Sequence, residues 1–371
     1  MQSNITKSHR VNWIDELKGF ILILVCLSHA RIHIPLGTVG GDLISICTAF
    51  RMSTFFFLSG LLFSTRRYST IGSYIKNKTK TLLIPFVLLS LLFAFLDSRL
   101  YDISLIERNN ELCMLYTPSD IQSSIDYFIM ELVSIFYIAH PIIVGPLWFV
   151  FTLFLTSILF YCIHYYSEAN IKAIVIYATF CLLMGWYCNI HHIILPYKIA
   201  TVFTASFFFT LGYIGKNTIN RLSKLSVLKL GCIILALSFI YLYAININGA
   251  INLFNNSLGN NIFGYALSTV SGIFLIVSTF ICLNKFVSGS ILQGILKNIA
   301  RNALIILAVH YWAIQCCRIF LYPISQENYF PWLVTLIMTI VTALAIPLFR
   351  TKLYKLIGKE KITVKESLSI N

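Results

Sequence analysis

The sequence contains few charged residues, and acidic residues are especially scarce. Of its 371 residues, 11% are charged and 14 are aspartate or glutamate, while 58% are hydrophobic. Soluble domains carry roughly 25% charged residues, because a surface that faces water must be covered with them. The scarcity of charge therefore excludes a soluble enzyme, a disordered chain and a secreted disulfide scaffold, and it indicates a membrane protein.

The signatures of several enzyme and cofactor classes are also missing. The chain has no P-loop, no G-x-G-x-x-G, no H-E-x-x-H and no G-x-S-x-G, so nothing supports nucleotide-binding or protease chemistry of the soluble type. The 10 cysteines include no C-x-x-C pair, which is typical of free apolar side chains. Cys188, His191 and His192 cluster without a nearby carboxylate. We therefore expect no metal site and no resident cofactor.

Long apolar runs make up most of the chain. A membrane-spanning helix needs about 20 mostly apolar residues. The runs that meet this requirement are roughly residues 13–34, 44–64, 81–97, 147–166, 171–190, 199–215, 229–247, 262–283, 302–321 and 331–349. They predict an all-α polytopic membrane protein with about ten transmembrane helices. The further apolar stretch 127–144 contains Glu131 and His140, and we predict that it is interfacial or re-entrant.

Basic residues fall on alternate connections between the predicted spans. With the amino terminus in the cytoplasm, 22 of the 28 lysines and arginines lie on the cytoplasmic side, as the positive-inside rule requires. This alternation needs an even number of spans, so we place both termini in the cytoplasm. The net charge of +14 is then an orientation signal rather than a mark of nucleic-acid binding. We predict an integral-membrane domain over residues 1–355 and a short basic cytoplasmic tail over 356–371.

Ionisable residues in the first two spans mark a candidate site, because charge is costly in a membrane. Asp15, Lys18 and His29 share one face of the first helix, since 11 residues at 100° each return to within about 20° of the starting direction. Arg51 in the second span cannot shed its charge and needs a partner or an aqueous pocket. His29 and Arg51 lie at similar depth on antiparallel neighbours. Two interpretations are open. Either the two residues form one site, or Arg51 extends outward to water while His29 only forms a hydrogen bond with a carbonyl oxygen.

Two later residues have two interpretations each. His310 lies near the middle of the ninth span, where even a neutral imidazole needs a polar partner. It either forms a hydrogen bond that only supports packing, or it takes part in the chemistry. Trp148 opens the fourth span, either as an interfacial anchor or as a flat apolar surface for a sugar ring.

Several stretches resemble the motifs of the acyltransferase-3 family of membrane O-acyltransferases. They are residues 14–19 with 27–29, 50–60, 78–85, 146–149 and 301–310. The sequence departs from the family pattern at Ser53 or its neighbour, where proline is frequent, and at Ala303, where serine is usual. The resemblance runs through all ten predicted spans in order and is closest to the fucose-O-acetylase-like and surface-polysaccharide acetyltransferases.

The resemblance implies transfer of an acyl group, usually acetyl from acetyl-CoA, to a sugar hydroxyl. The acceptor would be a surface polysaccharide or a lipid-linked oligosaccharide at a bacterial cytoplasmic (inner) membrane. His29 becomes the candidate general base and Arg51 the candidate group that stabilises negative charge on the thioester oxygen. The implied partners are acetyl-CoA as a donor substrate, the glycan and membrane lipid, with no nucleic acid.

The other expected site residues divide between donor and acceptor. The candidates for donor binding, or for supporting the residues that bind it, are Asp15, Lys18, Ser59, Gly60, Lys78 and Lys80. Arg66, Arg67 and Lys76 are further candidates for pairing with the phosphates of the donor. Trp148 and His310 are the candidates on the acceptor side.

Two other classes of protein fit parts of the pattern. A glycan transporter or flippase would use intramembrane histidine and arginine as substrate or proton-coupling groups. A glycan polymerase would have large outer loops rich in arginine, whereas the long outer segment 98–146 is acidic. For an acyltransferase, the acceptor approaches either from outside or on the inner leaflet.

Overall fold

The computed structural model describes most of the chain. The described residues are 12–30, 46–66, 68, 70–102, 123–141, 144–287, 289–321, 324 and 329–359. They are mostly helical and contain no β-strand, apart from a single bridge between Asn252 and Ser257. The all-helical class predicted from the apolar runs is therefore confirmed.

The described segments contain α-helices that we number in chain order. They are α1 (Asn12–Ala30), α2 (Thr48–Leu61), α3 (Ile71–Lys78), α4 (Ile84–Asp102), α5 (Ser124–Val133), α6 (Trp148–Tyr166), α7 (Ile171–Ile190), α8 (Ile199–Ile214), α9 (Lys216–Lys224), α10 (Val227–Asn248), α11 (Ile262–Phe286), α12 (Ile291–Arg301), α13 (Ala303–Phe320) and α14 (Phe330–Thr351).

Seven helical segments within the described ranges are long and apolar enough to cross a membrane. They are Ile71–Arg99, Gly145–Tyr166, Ile171–Ile190, Pro196–Ile214, Val227–Asn248, Ile262–Phe286 and Trp332–Thr351. The pair α12 and α13 makes an eighth if it is counted as one span bent by 84°. The chain is thus a multi-pass membrane protein, while the count of ten spans, the cytoplasmic termini and the domain limits stay predictions.

The first two predicted spans account for much of the difference from ten. Helix α1 has 19 residues and carries Asp15, Glu16 and Lys18 toward its start. Helix α2 is described over 14 residues, which is short of the length that a span needs. Parts of the predicted ranges 13–34 and 44–64 lie outside the described residues.

The third span begins earlier than the apolar run at 81. Thr70 and Ser73 form a capping box that starts α3, and a π-helical turn, Thr79–Leu83, joins α3 to α4. The predicted basic connection that contains Lys76, Lys78 and Lys80 is therefore helical rather than a loop. The capping box satisfies free backbone groups at the helix start, which lets the helix extend beyond the apolar run.

The described residues between 127 and 141 are not among the candidate membrane spans. Helix α5 and a π-helical turn, Ser134–Ile138, end at Ala139, whose φ of 59° is in the left-handed region. This unit packs against α4. Its predicted interfacial or re-entrant position stays a prediction.

Glycines allow the backbones of two helix pairs to touch. A Cβ added at Gly60 of α2 would lie 1.8 Å from the carbonyl oxygen of Phe209 in α8. A Cβ added at Gly212 of α8 would lie 1.9 Å from the carbonyl oxygen of Phe57. On α1, a Cβ at Gly19 would lie 2.1 Å from the Leu296 oxygen of α12. Small residues are the usual means of close helix packing in membranes.

We expect Gly212→Ala to lower the free energy of unfolding by about 1–3 kcal/mol, because α2 and α8 must separate to admit the methyl group. Gly231→Ala is the matched control, since nothing lies within 4 Å of a Cβ added there. Chemical unfolding in detergent compares the two variants with the parent. Equal stability of Gly212→Ala and Gly231→Ala would contradict backbone contact between α2 and α8.

A buried carboxylate near the start of α1 ties this helix to two others. Glu16 is 3% exposed and lies 3.2 Å from the ammonium of Lys297 on α12. Its oxygens also accept hydrogen bonds from Asn284 of α11 and Gln293 of α12. A buried charge is tolerated only with such partners, so Glu16 specifies how α1 meets α11 and α12.

Lys297→Met leaves the Glu16 charge without its ion partner. We expect the free energy of unfolding to fall by roughly 3 kcal/mol, the low end for breaking a buried pair, since Lys297 is partly exposed. Glu16→Gln in the same chain removes the uncompensated charge and keeps an amide that can bond Asn284 and Gln293. Chemical unfolding of the single and double variants should show that the double variant is more stable than Lys297→Met. Equal or lower stability of the double variant would refute the role of the unpaired Glu16 charge.

Candidate functional site

His29 lies in the last turn of α1 and faces α13. The centroid of its imidazole is 5.6 Å from the ring of His310 and 5.1 Å from the ring of Tyr311. Helix α1 packs against α13 along this contact. The structure therefore brings together His29 and His310, which the sequence had suggested as separate candidates.

The hydrogen bond of His310 determines which of its nitrogens carries the hydrogen. His310 is 1% exposed, and its Nδ1 lies 2.6 Å from the carbonyl oxygen of Ile306. A carbonyl oxygen only accepts, so Nδ1 donates and Nε2 is left as an acceptor. Nε2 has no hydrogen-bond partner among the described residues. A buried neutral imidazole with an acceptor nitrogen can bind a hydroxyl or take its proton.

Arg51 completes this group from α2. One of its terminal nitrogens, Nη1, lies 3.4 Å from the carbonyl oxygen of Leu24 on α1, in the part of that helix that leads to His29. Its Nε is buried with no hydrogen-bond partner in the described ranges. A guanidinium keeps its charge under such conditions. Part of its hydrogen-bonding capacity is therefore available to an anionic group next to this part of α1.

His140 and Tyr311 both lie next to Gly145, just before α6. A Cβ added at Gly145 would lie 3.3 Å from Nε2 of His140 and 3.7 Å from the ring of Tyr311. The 3-10 turn Gly145–Leu147 packs against α13. A larger residue at this position would press on both rings, so Gly145 joins Tyr311, which contacts His29, to His140 near the start of α6.

Trp148 lies in an aromatic cluster next to this turn. Its ring centroid is 5.8 Å from that of Phe254, which lies 4.4 Å from the ring of His140. Trp148 is 6% exposed, so it sits inside the protein. An interfacial anchor contacts lipid headgroups, and the burial of Trp148 does not fit that role.

Asp15 and Lys18 lie far from His29 along the same helix. The 14 residues from Asp15 to His29 correspond to a rise of about 21 Å, and both Asp15 and Lys18 are half-buried at the other end of α1. The shared face predicted from the sequence thus runs along α1 without bringing these two residues to His29. They stay candidates only for binding the donor, at the start of α1.

The other donor-side candidates also lie apart from His29. Ser59 donates to the Phe55 carbonyl oxygen at 2.8 Å, and Gly60 packs on α8. Lys78 lies 5.3 Å from the ring centroid of Tyr74, while Lys80 is exposed. The geometry gives Gly60 a packing role and leaves the two lysines as candidates for the cytoplasmic surface.

A small pocket opens where α2, α6 and α8 end on the predicted cytoplasmic side. Arg66, His164, Tyr213 and Lys216 contribute to its lining. Nε2 of His164 lies 3.0 Å from the Tyr213 hydroxyl, and Lys216 donates to the Phe63 carbonyl oxygen at 2.5 Å. Of these, only Arg66 was singled out from the sequence. Arg67, which was predicted beside it, lies outside the described residues.

Several residues near His29 and Trp148 have no sequence signal strong enough to identify them. Tyr311 and Phe254 are two of 49 tyrosines and phenylalanines. His140 is noticeable only as a histidine in an apolar stretch. In the part of the chain that the structure describes, no group of three histidine, cysteine or acidic residues could hold a metal ion. All nine described cysteines are free.

The fold and the site together define a polytopic helical membrane protein with histidines and an arginine gathered inside its helices. A family model described as an acyltransferase domain matches residues 11–350. The chain therefore belongs to the acyltransferase-3 family and is a membrane acyltransferase. Searches of curated proteins and of solved structures each found no match.

His140 lies outside the candidate spans and makes stability depend on pH. Burial first, and then Lys198, lowers the pKa of His140 from 6.5 to about 3. Between these values the unfolded chain binds a proton that the folded chain excludes. Stability is therefore complete above the unfolded pKa and falls as the pH drops toward the folded pKa.

We expect His140 to lower the free energy of unfolding by about 2–3 kcal/mol at about pH 4.5 relative to about pH 7.5. His140→Gln should remove that part of the pH dependence. Chemical unfolding of both proteins at the two pH values measures the difference. An unchanged pH dependence in His140→Gln would show that His140 is not excluded from protonation in the folded state.

Proposed function

We propose that this acyltransferase moves an acetyl group from acetyl-CoA to a hydroxyl of a cell-surface or lipid-linked glycan. The proposed location is a bacterial cytoplasmic membrane. The observation that supports this best is the group of His29, Arg51 and His310 inside the helices. Three polar side chains would be costly there unless they bind or transform a polar substrate.

The donor enters from the cytoplasmic side. Lys78 and Lys80 lie on the helix that continues into α4, and Arg66 lies near the pocket at the end of α2. These cations suit the phosphates of CoA, while the thin pantetheine arm extends between helices toward His29. The length of α1 between its charged start and His29, about 21 Å, is consistent with an extended donor.

The transfer step requires a base and a site for developing negative charge. His29 takes the proton of the acceptor hydroxyl as its oxygen attacks the thioester carbon. The carbon–sulfur bond then breaks, and the thiolate of CoA leaves and takes the proton from the imidazolium of His29, which restores the neutral base. Arg51 lies beside the carbonyl oxygen of the thioester and stabilises its negative charge in the transition state.

The acceptor side is the outer end of the same group. His310 presents Nε2 as an acceptor, which can accept a hydrogen bond from a second hydroxyl of the acceptor sugar while His29 accepts that of the attacking one. Trp148, Phe254 and His140 form the adjoining wall, and flat aromatic faces suit the apolar faces of sugar rings. Approach of the acceptor from outside and of the donor from inside makes the reaction a transfer across the membrane.

The function is tested with the full chain purified into lipid nanodiscs. Acetyl-labelled acetyl-CoA and crude surface glycan should yield labelled glycan whose label is released by mild base, as for an O-acetyl ester. His29→Ala should lower the labelling rate by about 10²–10⁴-fold, and Arg51→Ala by about 10²–10³-fold.

The matched control is His191→Ala. His191 is exposed in the turn after α7, away from the group of His29, so its loss should leave labelling unchanged. Normal labelling by His29→Ala would refute the assignment of the base. A wild-type protein that transports glycan across a vesicle membrane but never labels it would favour the transporter instead.

A further inference from the structure

A lysine at the outer end of α8 is held over an aromatic ring beside the acceptor wall. The Nζ of Lys198 lies 3.6 Å from the centroid of Phe254 and donates to the Phe254 carbonyl oxygen at 3.2 Å. The same ring contacts His140 and Trp148. Lys198 is therefore part of one contact group with the residues that line the acceptor side.

The charge of Lys198 is not neutralised within the described part of the chain. No described carboxylate forms an ion pair with Lys198, whose ammonium bonds the carbonyl oxygen of Phe254 instead. Lys198 is also the N-cap of α8, where the helix dipole favours a negative charge and disfavours a cation. A positive charge is thus held at a position that already carries positive potential.

The backbone at this point is costly as well. Tyr197 and Lys198 have φ values of 57° and 56°, a left-handed conformation that is unfavourable for residues other than glycine. The ring of Tyr197 lies against those of Tyr137 and Phe151. These contacts hold the turn that directs Lys198 over Phe254.

Neighbouring groups lead from Lys198 to His29 by way of Gly145. The ring of Phe254 contacts His140, whose Nε2 lies 3.3 Å from a Cβ built on Gly145. The ring of Tyr311 lies 3.7 Å from the same Cβ position, and its centroid is 5.1 Å from that of His29. A glycan whose hydroxyl reaches His29 would therefore extend along these aromatic groups toward Lys198.

We propose that the acceptor is an anionic glycan and that Lys198 binds its negative group while the acylated hydroxyl lies at His29. This inference rests on the proposed function. A lysine acts as a point charge, so it suits a single anionic group. That group is either the carboxylate of an acidic sugar or the phosphate that joins the glycan to a lipid carrier.

The proposal is tested by equilibrium binding to the full chain in nanodiscs without acyl donor. The probes are trimers of galacturonic acid, glucuronic acid and N-acetylneuraminic acid, each paired with its carboxyl-reduced form. A neutral trisaccharide, with and without a polyprenyl phosphate, tests the lipid-carrier source. The variants are Lys198→Met, which keeps the apolar stem over Phe254, and Lys198→Arg. Lys172→Met, at an exposed lysine near the start of α7, is the control.

We expect at least one charged probe to bind the wild type about tenfold more tightly than its neutral partner, the effect of roughly 1.4 kcal/mol. Lys198→Met should remove that preference and leave neutral binding unchanged, while Lys198→Arg and Lys172→Met retain it. A preference for acidic trimers identifies a carboxylate, and a preference for the polyprenyl phosphate probe identifies the carrier. Salt should weaken the preference.

Equal binding within every pair would overturn the proposal, and so would a preference that survives Lys198→Met. A fall of charged and neutral binding together would show that Lys198 acts only in packing.

Transfer of label from acetyl-CoA is measured separately on the same probes. Equal labelling of charged and neutral glycans removes this proposal but keeps the acetyltransferase, whereas Lys198-dependent binding without labelling removes the acetyltransferase but keeps the anion site.

Discussion

The attachment of α1 to α12 positions the rest of the site. Gly19 lets the α1 backbone touch that of Leu296, and Glu16 holds Lys297 one residue further along α12. Helix α13 leaves α12 at an angle of 84°, so the position of α12 on α1 determines where α13 crosses. His310 then falls opposite His29 because both helices start from the same fixed contact.

A low-dielectric interior explains why so few polar groups can define the chemistry. Within the membrane, each polar side chain needs a partner or a substrate. His310 bonds a backbone carbonyl through Nδ1, and Arg51 bonds one through Nη1. Each still has nitrogen atoms that no described residue satisfies. Those atoms are where a thioester oxygen or a sugar hydroxyl would gain most from binding.

The sequence predicted well what depends on composition, since the apolar runs indicated the helical class. The cost of charge in lipid selected His29 and Arg51 as candidates, and their roles stay predictions. The sequence could not predict the geometry that depends on packing between distant segments. The shared face of Asp15 and His29 gives their direction around the axis of α1, but periodicity carries no information on what packs at each end of the helix. Tyr311 and Gly145 reach the site only through the crossing of α13 with the turn before α6.

The most direct test of the reaction centre is a structure of the full chain with a non-reactive acetyl-CoA analogue whose thioester sulfur is replaced by a methylene group. We expect the acetyl carbonyl oxygen within hydrogen-bonding distance of Arg51 and the acetyl carbon next to His29, with the nucleotide at the cytoplasmic end. An acetyl group bound at another place, with His29 and Arg51 in contact only with the protein, would contradict the assignment.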